Sequence, residues 1–159
     1  MEPKETTNAE GNVGVPRWLM LSFLTLGVIG LTDATYLTFR HFSLASGTCL
    51  IGTGCDNVLA SVYSVFAGIP VAAFGIAYYL AIVVLAVAAL YTRNFRFMIA
   101  AAALSVTGLF ASAWFVYLQF FVLHEICAYC MISATTSLLL FIGGVLVAAK
   151  MRKGISGNQ

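Results

Sequence analysis

Four long apolar stretches alternate with short polar ones along the chain: Trp18 to Phe39, Gly68 to Tyr91, Phe97 to Phe121 and about Ala128 to Ala149. Each reaches the roughly 20 residues that an α-helix needs to cross a ~30 Å hydrocarbon core. The pattern predicts an all-α membrane protein: a bundle of four transmembrane helices over residues 17–150. Gly27, Gly30, Gly75, Gly108, Gly143 and Gly144 fall inside these stretches. Small residues let membrane helices approach closely, so the glycines are expected at helix contacts. Pro70 is expected in the first turn of the second helix, where a missing N–H costs nothing.

Between the first two stretches lies a connection of about 28 residues, Arg40 to Ala67. Val58, Leu59, Val62, Tyr63 and Phe66 recur there at helical spacing. This predicts a short helix on the outer membrane surface, with Asp56 near its start as a cap. Gly47, Gly52 and Gly54 precede it and admit backbone turns that other residues resist.

Composition agrees with the pattern: 61% of the 159 residues are apolar and 9% charged, far from a soluble globular mixture. The net charge of +2, with its basic residues scattered, excludes nucleic-acid binding as the main activity. Residues 1–16 are polar and lack the apolar core of a signal peptide, so they read as a disordered cytoplasmic tail, and 151–159 as a second. Lys4, Arg17, Arg93, Arg96, Lys150, Arg152 and Lys153 fall on one side of a four-crossing chain and only Arg40 on the other. Positive charge marks the cytoplasmic side, which puts both termini in the cytoplasm.

All four cysteines then lie on the outer, oxidising side: Cys49 and Cys55 in the long connection, Cys127 and Cys130 where the fourth helix begins. Residues at i and i+3 share a helix face, so the sulfurs of Cys127-Ala-Tyr-Cys130 can close a disulfide or open as a dithiol with little backbone movement. The unpaired N–H groups of a helix start favour an anionic sulfur at Cys127. Other readings stand beside this one. They take the cysteines as inert apolar residues, as a four-thiolate zinc site or as a pair of structural disulfides. The Cys49-x5-Cys55 spacing is poor for zinc, and no metal is expected. A staple inside one helical turn stabilises little, because loop-closure stabilisation grows with loop length.

Cys49, the run Cys55-Asp56-Asn57-Val58-Leu59-Ala60-Ser61, Gly68-Ile69-Pro70 with Phe74-Gly75, and Cys127-Ala-Tyr-Cys130 together resemble the vitamin K epoxide reductase family in its bacterial branch. The resemblance spans roughly Leu19 to Lys150. It implies a four-helix bundle around a quinone, with Cys127 and Cys130 as redox centre and Cys49 and Cys55 as shuttle pair. It also implies that Cys130 reacts with the quinone, that Cys127 exchanges with the shuttle, and that Ser61 is the family's loop serine near the quinone. The chain departs from the vertebrate pattern at two positions. Val71 stands where an asparagine is found, and Ala134 where a tyrosine is found, which removes two polar contacts to a naphthoquinone. Many bacterial members carry a fused thioredoxin-like domain. This chain stops at Gln159, so a separate thioredoxin-fold, DsbA-like partner is expected.

Phe74, Tyr78, Phe110, Trp114, Phe115, Tyr117 and Tyr129 are expected in one layer near the outer leaflet. Phe74, Phe110 and Trp114 are the expected walls of a quinone pocket, although aromatic belts also arise without any ligand. Asp33 lies about 20 Å into the first helix at ~1.5 Å per residue, near the outer boundary of the core. An ionisable residue in a span is a functional candidate, and hydration at the interface is the simpler reading. His124 and Glu125, just before Cys127, suit either tuning of the cysteines or an ordinary surface turn.

The function expected is a quinone-dependent thiol oxidoreductase in a bacterial plasma membrane. It would carry electrons from its partner to ubiquinone or menaquinone and so support disulfide formation in exported proteins. A vitamin K quinone or epoxide reductase and a non-enzymatic four-helix scaffold are the competing classes.

Overall fold

A computed structural model describes residues 16–43 and 54–156, with side chains at 16–43 and 57–150. Four of the described helices are long and apolar enough to cross a membrane. They are α1 (Arg17–Phe42), α3 (Val71–Thr92), α4 (Phe95–Leu118) and α5 (Ala128–Ser156), with the short α2 (Gly54–Ala60) between the first two. The chain is thus a multi-pass membrane protein, and the expected spans agree with the observed helices to within a few residues. Cys49 and the tails at 1–15 and 157–159 lie outside the described residues.

α1 packs against α3 and α5, and α4 packs against the same two, so the helices form a ring with α1 opposite α4. A cluster containing Leu19, Phe23, Ile82, Met98, Leu140 and Val147 fills one end of the ring. A smaller cluster of Leu37, Val58, Leu59 and Cys127 closes the other. Glycines sit at close approaches, as expected. A Cβ on Gly27 would meet Val83 at 2.9 Å and one on Gly143 would meet Phe23 at 2.9 Å.

The connection between α1 and α3 is less helical than its spacing suggests. α2 stops at Ala60 and is followed by one tight turn, Val62–Ser64, and a hairpin that pairs β1 (Val65–Phe66) with β2 (Ile69–Pro70). Two serines end the helix by offering its last carbonyls side-chain donors. Ser61 Oγ donates to Val58 O at 2.7 Å, and Ser64 Oγ donates to Leu59 O at 2.6 Å. The hairpin then reverses at Ala67 and Gly68, both with positive φ, as a two-residue turn between twisted strands requires. Phe66 therefore belongs to a strand and not to the surface helix. Asp56 falls inside the first turn of α2 instead of ahead of it, and Pro70 is the residue that caps α3.

Candidate functional site

A cavity of about 340 Å³ lies within the ring, beneath α2 and the hairpin, bordering both core clusters. From α1 it takes Ala34, Leu37 and His41, and from the outer connection Val58, Leu59 and Ser61. α3 contributes Val71, Phe74, Tyr78 and Tyr79. α4 contributes Thr107, Gly108, Ala111, Ser112 and Phe115, and α5 contributes Cys130, Ser133, Ala134 and Ser137. The walls are mostly apolar, with hydroxyls at a few points.

Helical phase explains the α5 wall. Cys130, Ser133 and Ser137 are spaced i, i+3 and i+7 and so share one face, which points into the cavity. Cys127 sits one turn before Cys130 and is fully buried, whereas Cys130 is half-buried. The Cys130 N–H points at Cys127 Sγ, 3.4 Å away. Thus Cys130 meets the cavity while Cys127 faces the small cluster beneath α2.

The turn that delivers Cys127 is held by a residue the sequence reading passed over. α4 ends in a wide π-type turn, Gln119–Leu123, and then reverses at His124, which has φ of 51°. Gln119 is 1% exposed. Its Oε1 accepts the Cys127 N–H at 2.8 Å, and its backbone carbonyl accepts the Glu125 N–H at 3.2 Å. One residue therefore accepts two N–H groups of the turn that leads into α5, one by its side chain and one by its backbone. The signal available in the sequence was one glutamine in an otherwise apolar run, eight residues before Cys127.

Glu125 makes a second tie, as its Oε1 accepts Asn57 Nδ2 at 3.2 Å. The bond links α2, whose backbone carries Cys55 two residues earlier, to the turn that carries Cys127. His124 is exposed. Ser61 lies in the cavity wall, with its hydroxyl turned to Val58 O.

The expected aromatic layer is only partly realised. Phe74, Tyr78 and Phe115 line the cavity. The Tyr129 ring meets that of Tyr36 in a tilted contact, centroids 4.7 Å apart, joining α5 to α1. Phe110 does not line the cavity and is 72% exposed, on the outer surface of α4. Trp114 is 58% exposed and borders only a neighbouring shallow groove with Phe66 and Phe74. Trp114, Tyr117 and Phe121 stack in sequence along that outer surface. The physical reason is helix phase: Thr107, Gly108, Ala111, Ser112 and Phe115 form the inward stripe of α4, so Phe110 and Trp114 are turned away.

Two adjacent tyrosines reach the bundle centre because glycines on flanking helices leave room. The Tyr79 ring covers Gly30 of α1, and the Tyr78 hydroxyl lies over Gly108 of α4. The Tyr79 hydroxyl donates to Ser133 O at 3.0 Å and lies 2.9 Å from Ser133 Oγ and 3.1 Å from Ser137 Oγ. Asp33 is 7% exposed and packed inside the ring.

A sequence profile describing the vitamin K epoxide reductase family matches residues 21–144. The chain belongs to the vitamin K epoxide reductase family. No curated protein sequence matches it. Membership in that family carries quinone-linked thiol–disulfide chemistry, and the cavity suits the ring of a quinone. Its volume lies in the range of small-molecule pockets, which are mainly apolar with a few convergent polar groups. A half-buried cysteine in its wall is the group that such a ring would need beside it.

Proposed function

We propose that this vitamin K epoxide reductase family member is a quinone-dependent thiol oxidoreductase that takes electrons from a thioredoxin-fold partner. They would pass through Cys49 and Cys55 to Cys127 and Cys130 and then to a membrane quinone, ubiquinone or menaquinone. The product is disulfide bonds in exported proteins. One observation carries the reading: Cys130 stands in the cavity wall while Cys127, one turn away, faces the cluster under α2. The two sulfurs of one pair thus have different surroundings, which supports a separate reactant for each.

A bound quinone supplies an acceptor for two electrons and two protons, which the Cys127–Cys130 dithiol releases as its disulfide forms. The protein does the rest. Leu37, Val58, Leu59 and Phe115 keep water from the cavity, and Gln119 fixes the backbone at Cys127. Thiolate attack on a disulfide sulfur depends on access. The backbone of α2, which carries Cys55, packs against the start of α5, and this supports exchange between a shuttle pair and Cys127. The apolar Val71 and Ala134 in the cavity wall favour this reading over epoxide reduction, because neither side chain offers a proton donor to an epoxide oxygen.

The test is turnover of the purified chain in lipid discs, with a reduced thioredoxin-fold protein as donor and quinones of several headgroups. Quinol formation should match the thiols lost by the donor. A chain that leaves donor thiols intact with every quinone would refute the proposal, as would full activity after Cys127 and Cys130 are both replaced.

A further inference from the structure

We infer that Asp33, acting through Tyr79 and the hydroxyls of Ser133 and Ser137, is a proton-holding site for oxidation of the Cys127–Cys130 dithiol. This rests on the function proposed above. Asp33 lies well inside a membrane-crossing helix, is 7% exposed, and neither carboxyl oxygen has a hydrogen-bond partner among the described residues. Buried polar atoms are nearly always paired, and an ionisable group in a span is costly. Packing offers no return for that cost, since an alanine or leucine would fill the position without it.

The surroundings indicate a role. Asp33 is one turn beyond Gly30 on α1, and the Tyr79 ring rests on Gly30. Asp33 and the Tyr79 phenol are within electrostatic reach of each other. The phenol contacts the hydroxyls of Ser133 and Ser137, which line the cavity on the same face of α5 as Cys130. Exchangeable protons therefore run from the cysteine wall, through two serines and a phenol, to the neighbourhood of a carboxyl group.

Other titratable groups must be weighed against Asp33. On α1 they are Tyr36, Arg40 and His41, one or more turns closer to the outer end. α3 presents Tyr78 beside Tyr79, and α5 begins with Tyr129 and Cys130, with Cys127 just ahead of it. α2 carries Cys55 and Asp56. Among them, Asp33 is the carboxyl within the spans.

The chemistry balances without an added reactant. Two thiols lose two electrons and two protons as the S–S bond forms, and the quinone gains the same. Sulfur attacks as thiolate, so one proton leaves Cys130 before the acceptor oxygen can take it. A carboxylate oxygen of Asp33 holds that proton and returns it, through the Tyr79 and serine hydroxyls, to one quinol oxygen, while the proton of Cys127 goes to the other, and the carboxyl group ends as it began.

The inference is tested on the full chain, first without quinone. The rate of maleimide alkylation at Cys130, read by mass spectrometry, is followed across the neutral pH range in wild type, Asp33→Asn, Asp33→Glu and Tyr79→Phe. Asp33→Asn should displace the pH profile, and Asp33→Glu should restore much of it. Tyr79→Phe keeps the ring over Gly30 and should reproduce the Asn profile. With quinone present, Asp33→Asn should lower turnover by on the order of 100-fold, the usual scale of a lost proton donor or acceptor. Wild-type profiles and turnover in Asp33→Asn would overturn the inference. Should that variant fail to accumulate, a wild-type alkylation profile in Tyr79→Phe would overturn it instead. A wild type that is inactive with every quinone refutes the proposed function, while the alkylation profiles still decide the role of Asp33.

Discussion

Two residues separate Cys127 from Cys130, yet Cys127 is sealed in the cluster under α2, while Cys130 packs against that cluster and also opens on the cavity. Their replacements should fail differently. Cys130→Ser should abolish quinol formation and leave Cys127 able to hold a disulfide with a cysteine of the shuttle pair, which mass spectrometry of the non-reduced chain would reveal. Cys127→Ala should abolish transfer from the donor with no such disulfide. Alanine is the apt substitution there, because a serine hydroxyl at a fully buried position would need a partner of its own. Gln119 is the second decisive residue. Gln119→Leu leaves the buried Cys127 N–H without its acceptor and should cost about 1–3 kcal/mol of stability. Gln119→Glu keeps an acceptor oxygen and should recover part of the activity. Thermal unfolding in detergent, beside donor oxidation rates, would check both; equal unfolding temperatures for Gln119→Leu and wild type would show the bond to be dispensable.

Helix phase separates Phe110 from Phe115 on α4, and their substitutions should separate as well. Phe115→Ala enlarges the cavity wall and should raise the KM for quinone several-fold, while Phe110→Leu, on the outer surface, should leave it unchanged. Steady-state kinetics with a short-chain quinone measures both; a larger KM effect at Phe110 would contradict the phase. That phase was not legible in the sequence, whereas the four spans were. Span length is a signal of twenty consecutive residues, but a membrane helix is apolar on its lipid side and its packed side alike, so no polar stripe marks which aromatic faces inward. The hairpin after α2 was hidden for another reason. Val62 and Phe66 fit a helical spacing, and only the serine hydroxyls at 61 and 64 and the turn at Ala67-Gly68 break it. Cys130, Ser133 and Ser137 show the reverse case, where a spacing present in the sequence does line the site. Tyr79 gave no signal of its own, because its place depends on Gly30 of another helix.

Across the whole molecule the antiparallel ring gathers Arg17, Arg93, Arg96 and Lys150 at one end, and α2 with the start of α5 at the other. Positive charge marks the cytoplasmic end, so the cysteines should face outward, where a thioredoxin-fold donor in an oxidising compartment can reach them. The Asn57–Glu125 bond and the packing of α2 on α5 carry the backbone of Cys55 to the side of the ring where Cys127 enters. Exchange from a donor to Cys127 then needs a cysteine pair that meets both, and a pair locked as a staple could meet only one. If Cys49 and Cys55 are that shuttle, removing either one leaves its mate without the second thiol that resolves a mixed disulfide. Cys49→Ala and Cys55→Ala should therefore stall at different stages. One variant should accumulate an adduct with the thioredoxin-fold donor, and the other a disulfide between the outer connection and Cys127. The Asn57→Ala variant, which loosens α2 from the turn, should slow the second exchange and leave the first unchanged. Non-reducing gels with mass spectrometry of intact cells identify each species, and membrane-impermeant thiol reagents report the side. If both cysteine variants oxidise the donor at the wild-type rate and trap nothing, electrons reach Cys127 without the outer pair, and Cys49 and Cys55 are a structural disulfide.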